Sequence, residues 1–356
     1  MKISKIQAVC VSKTQRGWQR AIWGAPHSNR YYRTRNKAIL AAGALAEQKA
    51  APIIIRGIDG KFQETNRQFC SKQNLTDYLV EQGSNLDFLD KIENKSVQLI
   101  ITSPPYNVGK EYEKISSLDA YVKIQEEIIT KCATKLKDTG SICWQVGNSI
   151  SKKDAEVIPL DIILYPIFKK LGFTLKNRII WHFEHGLHCK NRFSGRHETI
   201  LWFVKDTNNY IFNLDPVRVP SKYPGKRYYK GLRKGELSGN PLGKNPGDVW
   251  DIPNVKHNHC EKTEHPCQFP VELVERFVLS LTNENDIVFD PYLGAGSTVI
   301  AALKNKRKGY GCDIEKKYID ISLERIELLE KGELKTRAMN TPIYDPKKVK
   351  KEDESK

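Results

Sequence analysis

An α/β fold with a mostly parallel central sheet, preceded by a small α+β domain, is what this sequence predicts, and three observations predict it. From about residue 74, apolar runs of strand length alternate with helix-length amphipathic stretches, the order that places helices on both faces of a parallel sheet. One of these alternations turns on glycines, in DPYLGAGST, between a strand-like and a helix-like segment. The first seventy residues follow another pattern, with short strand-like runs around one helix-like stretch.

Taken in order, residues 1–70 contain strand-like IQAVCV and WQRAIW, helix-like KAILAAGALAEQKA, then PIIIRG and KFQET around an IDGK turn. Ten Lys or Arg stand between Met1 and Ala50 against one acid, Glu47, with Trp18, Trp23, Tyr31 and Tyr32 among them. Such a face suits nucleic acid and equally suits a solvated surface over an ordinary core; the role of this domain stays open. Residues 71–333 form the α/β domain. Its strand Val97–Ile101 leads to SPPY, followed by helix AYVKIQEEIITKCATKL, strand ICWQVG, a helix near DIILYPIFKKL, and strands RIIWHF and TILWFV. A loop-rich insertion at 206–262 precedes helix VELVERFVLSL, strand DIVFD, the glycine turn, helix STVIAALKN, strand KGYGCDI and helix YIDISLERIELLEKG. Residues 334–356 are charged without apolar periodicity and predict a disordered tail.

Composition narrows the partners. The 356 residues carry a formal charge of +16 and a pI near 9.3, and lysines and arginines meeting phosphates gain from counterion release. No apolar stretch approaches a membrane span, and the N-terminus lacks the apolar region of a signal peptide, so a cytoplasmic protein is expected. Eight cysteines without a CxxC pair predict reduced thiols. His257, His259, Cys260, His265 and Cys267 match no familiar ligand spacing, and no metal is expected. His182, His185, His188 and Cys189 read as a polar loop near the mouth of a site, with DNA contact as the weaker reading.

Two motifs carry chemistry. After the strand, Thr102 and Ser103 bring hydroxyls to its end, Pro104 and Pro105 fix two φ angles and remove two backbone donors, and Tyr106 offers a ring. The result is a stiff elbow at the carboxyl end of a strand, where open α/β sheets keep their ligands. In DIVFDPYLGAGSTVIAALKNKRKGYGCDI, Gly294 and Gly296 permit a sharp turn, the helix opening at Ser297 offers unpaired N–H groups, and Asp313 ends the next strand. Its spacing suits an acid that accepts ribose hydroxyls of an adenosyl cofactor.

DPYLGAGST followed by GCD resembles the S-adenosylmethionine motif of DNA amino-methyltransferases, and TSPPY resembles their catalytic motif, D/N/S-P-P-Y/F/W. The catalytic motif comes first, as in the permuted β class, and HETILWF, GDVWDIP and HPCQFPVELVERFV extend the likeness over roughly 75–330. The resemblance implies a Rossmann-like methyltransferase that takes S-adenosyl-L-methionine and methylates an exocyclic amine of double-stranded DNA. Catalytic residues would be Ser103, Pro104, Pro105 and Tyr106. Cofactor residues would be Asp290, Pro291, Gly294, Gly296, Ser297, Thr298 and Asp313, with His265, Pro266, Phe269 and Pro270 from HPCQFP. The insertion lies where the family keeps target recognition, and Arg218, Lys222, Lys226, Arg227, Lys230, Arg233, Lys234 and Lys244 would meet phosphates.

An exocyclic amine is a poor nucleophile because its lone pair is delocalised into the ring. Acceptance of its two hydrogens by the Ser103 hydroxyl and the Pro104 carbonyl would localise that pair, while Tyr106 stacks on the extruded base. Within the family S-P-P-Y goes more often with cytosine N4 and D-P-P-Y with adenine N6, so cytosine N4 is expected, adenine N6 being the alternative. A restriction endonuclease is the implied partner; the oligomeric state and recognition sequence are not legible. Cytosine-C5 chemistry on Pro266-Cys267-Gln268, an RNA or protein amino-methyltransferase, and a binding-only regulator are the competing readings. One departure stands out: Gly83-Ser84-Asn85 occupies the place of a Gly-Asp that usually approaches the cofactor adenine.

Overall fold

The computed structural model describes residues 77–341 apart from 112–115, 152, 187 and 224, together with five strands and Ala42 from the first 76 residues. The chain divides into two compact units, Met1–Thr76 and Asp77–Lys356, near the expected boundary. In the first unit, β1 (Ala8–Thr14), β2 (Gly17–Trp23), β3 (Ala25–Tyr32), β4 (Ile53–Arg56) and β5 (Phe62–Thr65) form a sheet ordered β3-β2-β1-β4-β5. β1 and β4 run parallel, and the other pairs are antiparallel. β3 was not legible in APHSNRYY, which lacks apolar alternation; its Pro26 is tolerated because the strand lies at the sheet edge. The helix expected at 37–50 lies outside the described residues except for helical Ala42.

The second unit is built on an eight-stranded sheet. In chain order its elements are β6 (Tyr78–Gln82), α1 (Asn85–Lys91), β7 (Val97–Thr102), α2 (Leu118–Lys135), β8 (Leu136–Val146), the ribbon β9 (Asn148–Ile150) and β10 (Val157–Pro159), and α3 (Leu160–Lys170). They are followed by β11 (Thr174–His182), β12 (His197–Val204), β13 (Val249–Asp251), α4 (Val271–Leu281), β14 (Ile287–Asp290), α5 (Ser297–Lys304), β15 (Lys308–Asp313) and α6 (Lys316–Lys331). The sheet order is β13-β11-β12-β8-β7-β14-β15-β6. From β6 to β8 all neighbours are parallel, and β12 is antiparallel to both β8 and β11.

β7 reads VQLIIT and is buried at every position, as a strand covered on both faces should be. Its one amide, Gln98, is satisfied by the Thr139 carbonyl at 2.9 Å and the Thr139 hydroxyl at 3.1 Å. α1, α2 and α3 cover one face of the sheet around Phe88, Ile129, Trp144 and Phe168; α4, α5 and α6 cover the other around Phe277, Val288, Ile300 and Ile326. From β7 the chain crosses through α2 to β8 on one side, whereas from β14 it crosses through α5 to β15 on the other. The carboxyl ends of β7 and β14 therefore flank a topological switch point, where parallel sheets open a crevice.

The expected disordered tail is corrected over 334–341. Leu334 packs on the core, the Arg337 N–H donates to Glu261 Oε1 at 3.0 Å, its guanidinium pairs with Glu272, and the Asn340 N–H donates to Glu272 Oε1 at 2.9 Å. Two buried carboxylates on and before α4 need partners, and this charged segment supplies them, which a search for apolar periodicity cannot detect. Residues 342–356 lie outside the described part. The 206–262 segment is loop-rich as expected, closed by bridges Val219–Lys244 and Arg227–Leu237, but its final part enters the sheet as β13 beside β11. Among the described residues no helix is long and apolar enough to cross a membrane.

Candidate active site

The switch point is a cleft with about 1320 Å³ of empty space, solvent at its mouth included, above the ~300–1,000 Å³ of an ordinary small-molecule pocket. Ser103, Pro104, Pro105 and Tyr106 line it, as do Pro291, Gly294, Ser297 and Asp313. His265, Pro266 and Phe269 also reach it, so both motifs and HPCQFP meet in one place. Asp290, Gly296, Thr298 and Pro270, expected among the cofactor residues, are not part of its lining.

Asp290 and Thr298 have another task. Both are 0% exposed, and the Asp290 carboxylate accepts the Thr102 hydroxyl at 2.5 Å, the Thr298 hydroxyl at 2.7 Å and the Tyr292 N–H at 3.0 Å. One side chain thus ties the residue before Ser103 to the glycine turn and to the first turn of α5. Burial pushes its pKa up to about 6 despite these three donors.

The turn is shaped by what surrounds its glycines. Gly294 has φ +51°, and a Cβ there would stand 2.9 Å from His265 Nε2. Gly296 has φ +76°, and a Cβ would stand 2.8 Å from Ser322 Oγ. Behind the turn, Ser322 Oγ donates to the Gly294 carbonyl at 2.8 Å and Arg325 donates to the Ala295 carbonyl, so α6 fixes its backbone. Asp313 Oδ2 accepts the Gly294 N–H at 2.9 Å and Oδ1 accepts the Glu315 N–H at 2.9 Å. A carboxylate offers about four lone-pair sites, which leaves acceptor capacity toward the cleft. His265 packs edge-on against Tyr318 with centroids 4.3 Å apart, and its Nδ1 accepts the Cys267 N–H at 3.2 Å. Burial, with Lys262 next, lowers its pKa to about 4, so the ring is neutral with its proton on Nε2. Gly83 and Asn85 line the same cleft, and the Gly83 N–H donates to the Asp313 carbonyl at 2.9 Å. Ser84 caps α1 by accepting the Leu86 N–H at 3.2 Å.

At the elbow the structure adds two residues that the motifs do not contain. Tyr106 Oη donates to Glu198 Oε2 at 3.0 Å, Ser103 Oγ lies 3.0 Å from the same Oη, and Gln145 Nε2 donates to Glu198 at 2.6 Å. Because the Tyr106 hydrogen is committed to Glu198, the Ser103 hydroxyl donates to Tyr106 and keeps its lone pairs for another donor. The Tyr106 ring is held too, since a Cβ on Gly147 would stand 3.0 Å from its Cε2. Burial raises the Glu198 pKa, opposed by Gln145, Tyr106 and Lys256; burial first, then Glu198, raises that of Tyr106. Glu198 opens β12, whose antiparallel course brings its first residues to the carboxyl ends of the parallel strands. An acid heading the apolar run TILWFV was the available signal.

None of the eight cations expected to meet DNA lines the cleft. Arg218 is committed within the protein, to Asp215 at 2.7 Å and the Gly243 carbonyl at 3.1 Å. Arg227 donates to the Gly235 carbonyl at 2.5 Å and Arg233 pairs with Glu236 at 2.8 Å beneath Tyr228, so these two brace the insertion. Lys222, Lys226, Lys230, Lys234 and Lys244 are exposed. His259, Cys260 and Glu261 bring ligand atoms within 4.8 Å of one another. Both Glu261 oxygens, however, accept backbone N–H groups, of Val271 at 2.9 Å and Arg337 at 3.0 Å, which makes it a fastening for α4 and the tail.

This geometry matches known proteins. Type II methyltransferase M.BglII of Bacillus subtilis is 52% identical over 245 residues, 69% of this chain and 68% of that one. DNA adenine methyltransferase YhdJ of Escherichia coli strain K12 is 34% identical over 69% and 81% of the two chains. Among solved structures, PvuII DNA methyltransferase (cytosine-N4-specific) superposes with a TM-score of 0.56 at 21% identity, covering 74% of this chain and 96% of that one. The TTHA0409 DNA modification methylase of Thermus thermophilus, solved with S-adenosyl-L-methionine, gives 0.50 at 24% identity over 75% and 100%. A family profile described as DNA methylase, of the N6/N4 methyltransferases, matches residues 97–324. With the two motifs side by side at the switch point, the chain belongs to the N6/N4 DNA methylase family.

Proposed function

We propose that this DNA methyltransferase acts on the N4 amine of cytosine, in a site where Ser103 and the Pro104 carbonyl hold the amine and the glycine turn holds S-adenosyl-L-methionine. The cofactor supplies a methyl group on a sulfonium. Its cradle is the cleft face made by Gly294, Ser297 and Asp313, where backbone lies close enough to His265 that a Cβ at residue 294 has no room. Asp313 has acceptor capacity for the ribose hydroxyls, and Pro291, Phe269 and His265 supply a neutral, largely apolar wall.

The observation that carries the reading is the hydrogen-bond chain Ser103–Tyr106–Glu198. It fixes the direction of the Ser103 hydroxyl, so that an incoming N–H finds a lone pair and not a competing donor. Preorganised acceptors of this kind favour positive charge developing on the amine nitrogen. The same chain offers that charge an exit: the amine proton passes to Ser103 Oγ as Ser103 hands its own to Tyr106 and Tyr106 hands its own to Glu198. Burial raises the affinity of Glu198 for a proton, which suits a terminal acceptor. Serine at the first motif position supports cytosine, and the type II naming of M.BglII supports a partner restriction endonuclease. A second reading, adenine N6, is favoured by the likeness to the Escherichia coli adenine methyltransferase and uses the same acceptor pair.

Mass spectrometry of nucleosides from DNA incubated with labelled S-adenosylmethionine tests the assignment. N4-methylcytosine is the expected product. N6-methyladenine would replace the base and keep the clamp, whereas 5-methylcytosine would overturn the clamp.

A further inference from the structure

Two large apolar side chains among the described residues stand wholly in water, Phe193 at 100% and Leu232 at 108% exposure. Leu232 is at the far end of the braced insertion, in a stretch none of whose cations reaches the cleft. Phe193 is placed differently. It belongs to the excursion 184–196 between β11 and β12, and the residues on either side of that excursion, Phe183 and Glu198, both line the cleft. The Phe183 N–H donates to the Arg196 carbonyl at 2.9 Å, which pins the excursion's base at the rim. Asn254, another lining residue, donates to the His185 carbonyl at 2.9 Å. Near the tip, Ser194 Oγ accepts the Cys189 N–H at 3.0 Å, closing a small turn with Phe193 beside it. Three residues of chain separate Phe193 from the pinned Arg196, a reach of roughly 10 Å.

The loop is also charged for DNA. Lys190 and Arg192 are exposed next to Phe193, and Glu184 is the one acid between 184 and 196. An exposed aromatic between cations, at the edge of a cleft that must receive a base from a duplex, has a defined physical use. Extruding a base costs a few kcal/mol of stacking and pairing, and an apolar wedge filling the vacated step recovers part of that cost.

We propose that Phe193 inserts into the duplex at the step from which the target base leaves, with Lys190 and Arg192 holding the flanking phosphates. This rests on the DNA methyltransferase reading of the cleft and adds how the duplex is opened. It predicts a dependence on pairing that a plain surface contact would not have.

The test uses the full chain and a duplex oligonucleotide carrying the recognition sequence read by base-resolved methylation sequencing. A second duplex has an abasic site opposite the target, so that part of the opening cost is already met. Phe193→Ala should lower kcat/KM on the paired duplex by about tenfold, the scale of a lost unstacking aid, and return to within about twofold of wild type on the abasic duplex. Phe193→Leu, still a wedge, should keep most activity on both, and cofactor affinity by calorimetry should be the same in all variants. Leu232→Ala should affect the two duplexes alike. Equal activity of Phe193→Ala and wild type on the paired duplex, or an equal loss on both duplexes, would overturn the wedge. A wild type that methylates neither duplex would instead overturn the reading of the cleft.

Discussion

The elbow after β7 and the glycine turn after β14 stand at the ends of neighbouring parallel strands, yet they are built from opposite materials. The elbow fixes its backbone with two prolines and works through atoms that point outward: a hydroxyl, a carbonyl and a phenol. The turn gives up side chains at Gly294 and Gly296, takes positive φ at both, and works through backbone brought close to the cleft. The difference follows from what each must hold. A base amine needs two acceptors at set positions, whereas a large cofactor needs room and unpaired N–H groups at the start of a helix. Asp290 joins the two, accepting from Thr102 beside the elbow and from Thr298 in α5, so neither can shift alone.

If labour is divided in this way, substitutions in the two loops should separate. Ser103→Ala removes an acceptor and should slow single-turnover methyl transfer by about 10²–10³, the range for one lost preorganised polar partner, with cofactor affinity unchanged. Gly294→Ala forces a side chain into a left-handed conformation against His265, at about 1–3 kcal/mol. Cofactor affinity should fall roughly 10–100-fold in calorimetry, and transfer at saturating cofactor should be largely retained. Equal losses in both properties for both variants would erase the distinction.

Asp290→Asn probes the link. The Asp290 pKa is raised in the fold to about 6, so its ionisation costs stability: the contribution is full below the unfolded value near 4 and is lost as pH rises through 6. Denaturant titration should show wild-type stability declining relative to Asp290→Asn between pH 4 and 6, by up to about 3 kcal/mol, and a constant difference above. A difference independent of pH would mean that the carboxyl is ordinary. The smallest effect is expected in the insertion. Lys226→Ala and Lys230→Ala should each reduce the salt slope of DNA binding by about 0.9, whereas Arg233→Ala, bound to Glu236, should act through local stability.

The sequence made the two loops legible because each concentrates its signal in consecutive residues, prolines in one and glycines in the other. It also located the alternation of strands and helices in the second unit. What it left out are features made by distant residues. Glu198 and Gln145 reach Tyr106 only because β12 reverses direction beside β8. Asp290 and Thr298 sit inside the cofactor motif, yet they face the interior, since a motif shows which residues recur together and not which way each points. β6 and β13, short strands at the two edges of the sheet, have too few residues to display periodicity. Residues 334–341 are held by polar contacts to Glu261 and Glu272, an attachment that composition alone reads as charge without structure.

The central claim is that the Ser103 hydroxyl receives a hydrogen from the exocyclic amine of an extruded base. A cycle that pairs Ser103→Ala with a DNA whose target base carries hydrogen in place of that amine tests it most directly. The account predicts that Ser103→Ala weakens binding of the normal duplex and leaves the affinity of the amine-free duplex unchanged, a coupling of about 0.5–3 kcal/mol. The same penalty on both duplexes would contradict it.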